Sequence, residues 1–191
     1  MSSSENLIKN VLILAANPKG TTQLRLDEEV REIDMGLQRS RKRDQFILKQ
    51  QWAVRPRDVH RAILDFRPQI VHFCGHGAEN GGLALEDEAG KIQLVDVQAL
   101  ASLFELFAAQ VECVLLNTCY SEPQANAISQ HIDYVIGMNQ KIGDKAAINF
   151  SVGFYDAVGA GESYDFAYQL GCRAIQMAGT SEQLTPLIKK N

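Results

Sequence analysis

The stretch VLLNTCYSEPQA (Val114–Ala125) begins on β-favouring apolar residues, breaks at Asn117-Thr118 and sets Cys119 at the edge of a turn. An apolar run of that length, with no polar alternation and closed by turn residues, reads as a strand buried on both faces of a parallel sheet. Ser121, with Gln124 three positions on, has the pattern of a capping box and opens a helix over 121–132. Upstream, IVHFCGHG (Ile70–Gly77) repeats the design. It has a strand over 70–74, then a polar turn that carries His76 between two glycines.

Outward from these two runs the same alternation continues. VLILAANP (11–18), QFILKQQWAV (45–54), VECVLLN (111–117) and YVIGMN (134–139) read as further strand segments, the third containing the run first quoted. Between them lie helical patterns. Leu26, Val30, Ile33 and Leu37 recur on one helical face within 21–40. Val59, Ile63 and Phe66 do so within 55–66, ahead of Pro68. Asp96 caps a helix over 96–110, and two helices with glycine-rich ends, 144–161 and 163–179, close the chain. GGLALEDEAGKIQLV (81–95) differs, with two short runs flanking DEAG, and reads as a small β-hairpin. Buried strands alternating with helices give an α/β fold, with a mainly parallel sheet covered by helices on both faces. No repeat or long linker divides the chain, so a single domain over residues 1–191 is expected.

Composition sets the outer bounds. The chain has 191 residues, 46% of them hydrophobic, and a net charge of −4, which suits a packed core and gives no overall nucleic-acid surface. The basic run RSRKR (39–43) sits at a helix end, where cations are favoured in any case. The start, MSSSENLIKN, lacks the apolar region of a signal peptide, and no run reaches the roughly 18 apolar residues of a membrane span. A cytoplasmic setting with reduced thiols and no membrane partner is therefore expected. None of the four cysteines forms a C-x-x-C pair, so no metal site is expected. Cys74, Cys113 and Cys172 fall inside elements and read as small buried hydrophobes; Cys119 stands where a loop begins.

Ligands of open α/β sheets bind beyond the carboxyl ends of the strands. Cys119 follows one strand and His76 another; if those strands are neighbours, roughly 4.8 Å apart, both residues face one crevice. A thiol attacks as thiolate, and an adjacent imidazole takes its proton. Acyl transfer also needs N–H donors for the developing oxyanion, and Gly77 and Cys119 offer theirs from the two loops. Cysteine and histidine in separate loops are often unrelated; placement at the ends of two consecutive strands makes catalysis an even match for that bland reading. His72 reads as core, His60 and His131 as helix surface.

At HFCGHG…GGLALEDEAG and VLLNTCYS the chain resembles the CHAT family of prokaryotic caspase-like cysteine proteases, distantly related to caspases, separases and gingipains. The likeness extends to LAANP and LRLDEEVREI early and to YVIGMNQKIGDKAAINFSVGFYDAVGAG late. The resemblance implies a caspase-like three-layer sandwich with strand order 2-1-3-4-5 and an endopeptidase that uses His76 and Cys119, without cofactor. It implies oxyanion donors at the amides of Gly77 and Cys119. It also implies a protein substrate, an activator or sensor partner, and a place in anti-phage defence. The sequence departs from caspases at NTCYS, where they carry glutamine-alanine before the cysteine. Basic-specific relatives place an acid two positions before the cysteine; here that position is Asn117, and the loop after the first strand offers Asn17. Asp144 either enters the substrate pocket or caps the following helix, so the side chain accepted next to the scissile bond stays open. Against the peptidase stand a catalytically silent interaction module, and a nucleotide-binding domain, for which AANPKGTTQ lacks a phosphate-cradling glycine pattern.

Overall fold

A computed structural model describes residues 8–79 and 82–191. The start of the N-terminal stretch read above and the first glycine of the hairpin run lie outside the described residues. The elements are β1 (Lys9–Ala15), α1 (Leu26–Arg39), β2 (Phe46–Gln51), α2 (Pro56–Phe66), β3 (Ile70–Cys74), β4 (His76–Ala78), β5 (Gly82–Glu86) and β6 (Ile92–Asp96). They continue with α3 (Val97–Leu106), β7 (Cys113–Asn117), α4 (Glu122–Ile128), β8 (Tyr134–Met138), α5 (Asp144–Ala160), α6 (Tyr164–Met177) and β9 (Pro186–Lys190).

The central sheet runs β2-β1-β3-β7-β8-β9. Its first five strands are parallel, in the order expected, and β9 adds an antiparallel edge against β8. That sixth strand was not visible as an apolar run. PLIKK opens on a proline, which has no N–H to donate, and ends in two lysines, a composition suited to a strand that needs pairing on one side only.

Strand alternation divides the core in two. Val11, Ile13 and Ala15 pack with Leu26, Val30, Ile33 and Leu37 of α1 and with Phe150 and Phe154 of α5. Leu12 and Leu14 pack with Val59 and Ile63 of α2, Phe104 of α3 and Ile128 of α4. Helices therefore cover both faces, and β1 buries every position from Val11 to Ala15, as its unbroken apolar run requires. Among the described residues no helix is long and apolar enough to cross a membrane.

Helix ends follow local chemistry, with two departures from the reading above. Asp96 caps α3 by accepting from the N–H groups of Gln98 and Ala99, both at 2.9 Å. At α4, Ser121 makes no capping bond: its hydroxyl donates to the carbonyls of Leu116 and Thr118 and accepts from the Met138 N–H, tying the turn after β7 to β8. At α5, the cap position belongs to Gly143, and Asp144 is the first helical residue.

The hairpin forms around Asp87–Gly90 by antiparallel pairing of β5 with β6. It is part of a three-stranded sheet whose remaining strand, β4, contains His76. The turn that delivers His76 depends on Gly75: its φ of +152° is unfavourable for other residues, and an added Cβ would lie 2.5 Å from the Ala16 carbonyl oxygen.

Candidate active site

β3 and β7 are neighbours, with Cys74 beside Asn117 at their carboxyl ends. Both chains leave the sheet at one level. Gly75-His76 turns into β4, while Thr118-Cys119 turns toward α4. The Cys119 turn is held by the Ser121 hydroxyl and by a left-handed Tyr120 (φ +55°), whose N–H donates to the Gln140 carbonyl at 3.3 Å. A non-glycine residue in that conformation is costly and persists where the surroundings enforce it, as functional turns do.

His76, Gly77, Asn117, Cys119 and Asp144 all line one cleft of about 610 Å³. Gly77 packs directly on the Cys119 backbone; a Cβ there would collide with the Cys119 carbonyl oxygen. The two residues expected to donate to an oxyanion are thus adjacent. The Cys119 thiol is half-buried and bonds the Ile142 carbonyl at 3.6 Å.

His76 Nε2 lies 2.9 Å from the Thr22 carbonyl oxygen. A carbonyl only accepts, so Nε2 carries the proton of a neutral ring and Nδ1 is left with a free lone pair, the state of a base. Burial lowers the pKa of His76 from 6.5, against the opposing effects of the Thr22 bond and the nearby Asp144 charge. The ring is therefore uncharged at neutral pH. The Thr22 carbonyl is a backbone group on a loop, and nothing in the residue types pointed to it.

Asn17 is not among the residues lining this cleft; it lines a neighbouring pocket that shares Gln23, Leu24 and Leu26 with it. Its side chain accepts from the Leu24 N–H and donates to the Leu24 carbonyl, and its own N–H donates to Glu86. These bonds close the loop that carries Thr22, so Asn17 acts on His76 only at one remove. Asp144 does line the cleft, and its carboxylate accepts from the Arg25 N–H at 3.1 Å. No arginine lines the cleft among the described residues.

The cleft floor holds an acid contributed by the apolar-striped helix α1. Glu29 of α1 is 3% exposed and lines the cleft beside Asn117, also 3% exposed. Glu29 Oε1 accepts from Asn117 Nδ2 at 2.6 Å and from the Ser151 hydroxyl at 2.7 Å. Asn117 also donates to the Ala147 carbonyl at 3.0 Å. His72 Nε2 lies 3.0 Å from the same Glu29 oxygen, and its Nδ1 lies 3.1 Å from the Tyr155 hydroxyl. Burial keeps that hydroxyl protonated, pushing its pKa well up. The signal was available: Glu29 follows Leu26 by three positions and so falls on the apolar face of α1.

Glu29, His72 and Cys74 bring one ligand atom each within 4.8 Å of one another, a grouping with the dimensions of a metal site. Its chemistry fits a metal poorly. Burial pushes the Cys74 thiol well up, so it holds its proton, and Glu29 Oε1 already serves Asn117 and Ser151. Of the remaining cysteines, Cys113 is buried as expected, whereas Cys172 is half-buried rather than enclosed.

Solved structures share this architecture. A secreted C11 cysteine protease from Bacteroides thetaiotaomicron, in complex with an irreversible peptide inhibitor, matches with a TM-score of 0.67 at 14% identity, over 96% of this chain and 66% of that one. The Arg-specific cysteine proteinase gingipain R matches with a TM-score of 0.65 at 12% identity, over 98% of this chain and 47% of that one. The fold is that of the caspase-like cysteine proteases. In sequence, a "Probable protease" of Gillisia limnaea is 27% identical over 164 residues, and a "Roc-COR-CHAT protease" of an unknown prokaryotic organism is 24% identical over 177. These alignments cover 84% and 88% of this chain but only 29% and 16% of those relatives. The CHAT domain family model matches residues 2–169, and the chain belongs to the CHAT-domain family.

Proposed function

We propose that this chain is a cysteine endopeptidase in which Cys119 is the nucleophile and His76 the general base and acid. The observation that carries the reading is the meeting of both residues in one cleft at the ends of adjacent strands, with the His76 tautomer set by the Thr22 carbonyl. In the first half-reaction the Cys119 sulfur gives up its proton to His76 Nδ1 and forms a C–S bond to the substrate carbonyl carbon. The carbonyl oxygen becomes an oxyanion, which the N–H groups of Gly77 and Cys119 stabilise. Collapse breaks the C–N bond, and the amine leaves with the proton from His76. Water then attacks the thioester, its proton passes to His76, and the C–S bond breaks to return the thiol and a carboxylic acid. No step needs a metal, cofactor or oxidant.

The proposal extends to setting. The substrate is a protein, the chain works in the cytoplasm, and an activator or sensor partner gates it within an anti-phage response, as the family resemblance implies. The test is a comparison of new protein N-termini in lysates treated with wild type or with Cys119→Ala, with the proteins encoded beside it present. Cleavages that appear with wild type and vanish with Cys119→Ala support the reading. An identical set of termini from both proteins would refute it.

A further inference from the structure

The cleft floor presents two acceptor atoms, Glu29 Oε2 and Asn117 Oδ1, for which the described residues supply no donor. The three contacts of Glu29 with Asn117, Ser151 and His72 all fall on Oε1. Among the described residues no donor meets Oε2, and no lysine or arginine pairs with this carboxylate. Asn117 Oδ1 is buried and likewise has no partner. Asn117 Oδ1 is buried without a donor, and the Glu29 carboxylate meets its donors through one oxygen only, so a site that retains both is shaped for a ligand that supplies donors.

His72 lies beneath, between Tyr155 and Glu29. The protonated Tyr155 hydroxyl can donate to His72 Nδ1, which places the proton of a neutral ring on Nε2, next to Glu29. At the rim, Asp144 adds a second acid and Lys141 a cation, so with Glu29 the cleft is net negative. The walls above the floor are aliphatic: Leu24, Leu26, Ile142 and Ala147. Apolar walls over a buried acid match a side chain with a hydrocarbon stem and a cationic, donor-rich head.

We propose that this cleft takes a lysine or arginine side chain at P1, the residue whose carbonyl Cys119 attacks, with the Glu29 carboxylate as its charge partner and Asn117 Oδ1 as a second acceptor. This rests on the peptidase reading above. An aspartate in the same position would face Glu29 with like charge. A leucine would fill the walls and leave both floor acceptors unpaired.

Four peptidyl acyloxymethyl ketones that differ only at P1 (arginine, lysine, leucine, aspartate) test the proposal, with Cys119 adducts followed by intact mass and Cys119→Ala as the blank. On wild type, an arginine or lysine probe should react about ten- to a hundredfold faster than the leucine or aspartate probe, the range for a hydrogen bond to a charged group. Glu29→Gln keeps the acceptor that serves Asn117 and Ser151, and it should cut the arginine-to-leucine rate ratio about tenfold or more. If Glu29→Gln does not fold, Asp144→Asn replaces it, with a smaller fall in the same ratio. Fastest reaction with the leucine or aspartate probe on wild type, or an unchanged ratio in the variants, overturns the proposal and leaves the peptidase reading standing. Absence of a Cys119 adduct with all four probes, while iodoacetamide still alkylates Cys119, removes the peptidase reading and this proposal together.

Discussion

Replacing Gly77 by alanine separates the chemistry of the cleft from its assembly. The added Cβ collides with the Cys119 carbonyl oxygen and lies 3.0 Å from the Cys119 carbonyl carbon and 3.4 Å from its nitrogen. All three are backbone atoms, so no rotamer change relieves the overlap; the β4 turn and the Cys119 turn must move apart. Forcing a methyl into a packed site costs about 1–3 kcal/mol. At about 2–4 °C per kcal/mol for a chain of this size, the melting temperature should fall by roughly 2–12 °C. The chemical effect should be larger. Losing one oxyanion donor costs about 10²–10³ in kcat, and the separated turns misplace at least one of the two. Alkylation by iodoacetamide passes through no oxyanion, so labelling of Cys119 should change far less than peptide hydrolysis. Gly82→Ala is the control, because the atoms nearest its Cβ belong to the flexible Leu94 side chain, at 3.3 Å, and not to backbone. Scanning calorimetry and paired rates of labelling and hydrolysis give the answer. A Gly77→Ala protein that melts with wild type and hydrolyses peptide within threefold of it would refute the contact and the role drawn from it.

Three further outcomes follow from individual contacts. His76→Ala should slow alkylation of Cys119 near neutral pH and leave that of half-buried Cys172 unchanged. Because burial lowers the His76 pKa, the wild-type acid limb should fall below pH 6.5, and a limb centred above 6.5 would contradict a neutral resting ring. Phe104→Ala removes a fully buried ring that meets Phe73 edge-on at 6.3 Å, and it should cost about 3–5 kcal/mol in denaturant unfolding. Asp58→Ala removes the carboxylate that accepts from the Arg55 N–H at the start of α2, at about 1 kcal/mol. The Asp58 pKa is lowered first by its bond to the Arg55 side chain, so this contribution is complete above the ordinary value of 3.8 and is lost as pH falls through the folded pKa. Wild type and variant should therefore converge in acid; a gap that persisted there would place the effect elsewhere.

The fold was legible where burial on two faces writes a continuous apolar run. VLILA, IVHFC and CVLLN each become a strand with no polar face, and their spacing by helical patterns leaves a parallel sheet as the natural packing. β9 was not legible because an edge strand needs no such run; its pairing comes from β8, nearly fifty residues earlier in the chain. Ser121 shows the limit of local patterns from the other side. Its sequence context matches a capping box, yet the nearby carbonyls of Leu116 and Thr118 and the Met138 N–H of β8 claim its hydroxyl, because the turn after β7 is buried and its carbonyls need donors.

The same distinction explains the site. His76 and Cys119 were readable because catalysis needs particular residue types and the sheet fixes where its loops meet. Thr22 was invisible because its contribution is a carbonyl, which every residue has. Asn17 was ambiguous because a polar residue after a strand serves a loop as readily as a ligand, and its bonds to Leu24 give it the loop role. Glu29 lay between these cases. Reading α1 by its apolar stripe finds the helix and passes over the acid that interrupts the stripe. An ionisable residue on a buried face has to be stabilised by neighbours or by something bound. Its neighbours here leave one carboxylate oxygen without a described donor, and that unmet acceptor on an otherwise apolar helix face is what directs attention to a cationic substrate side chain.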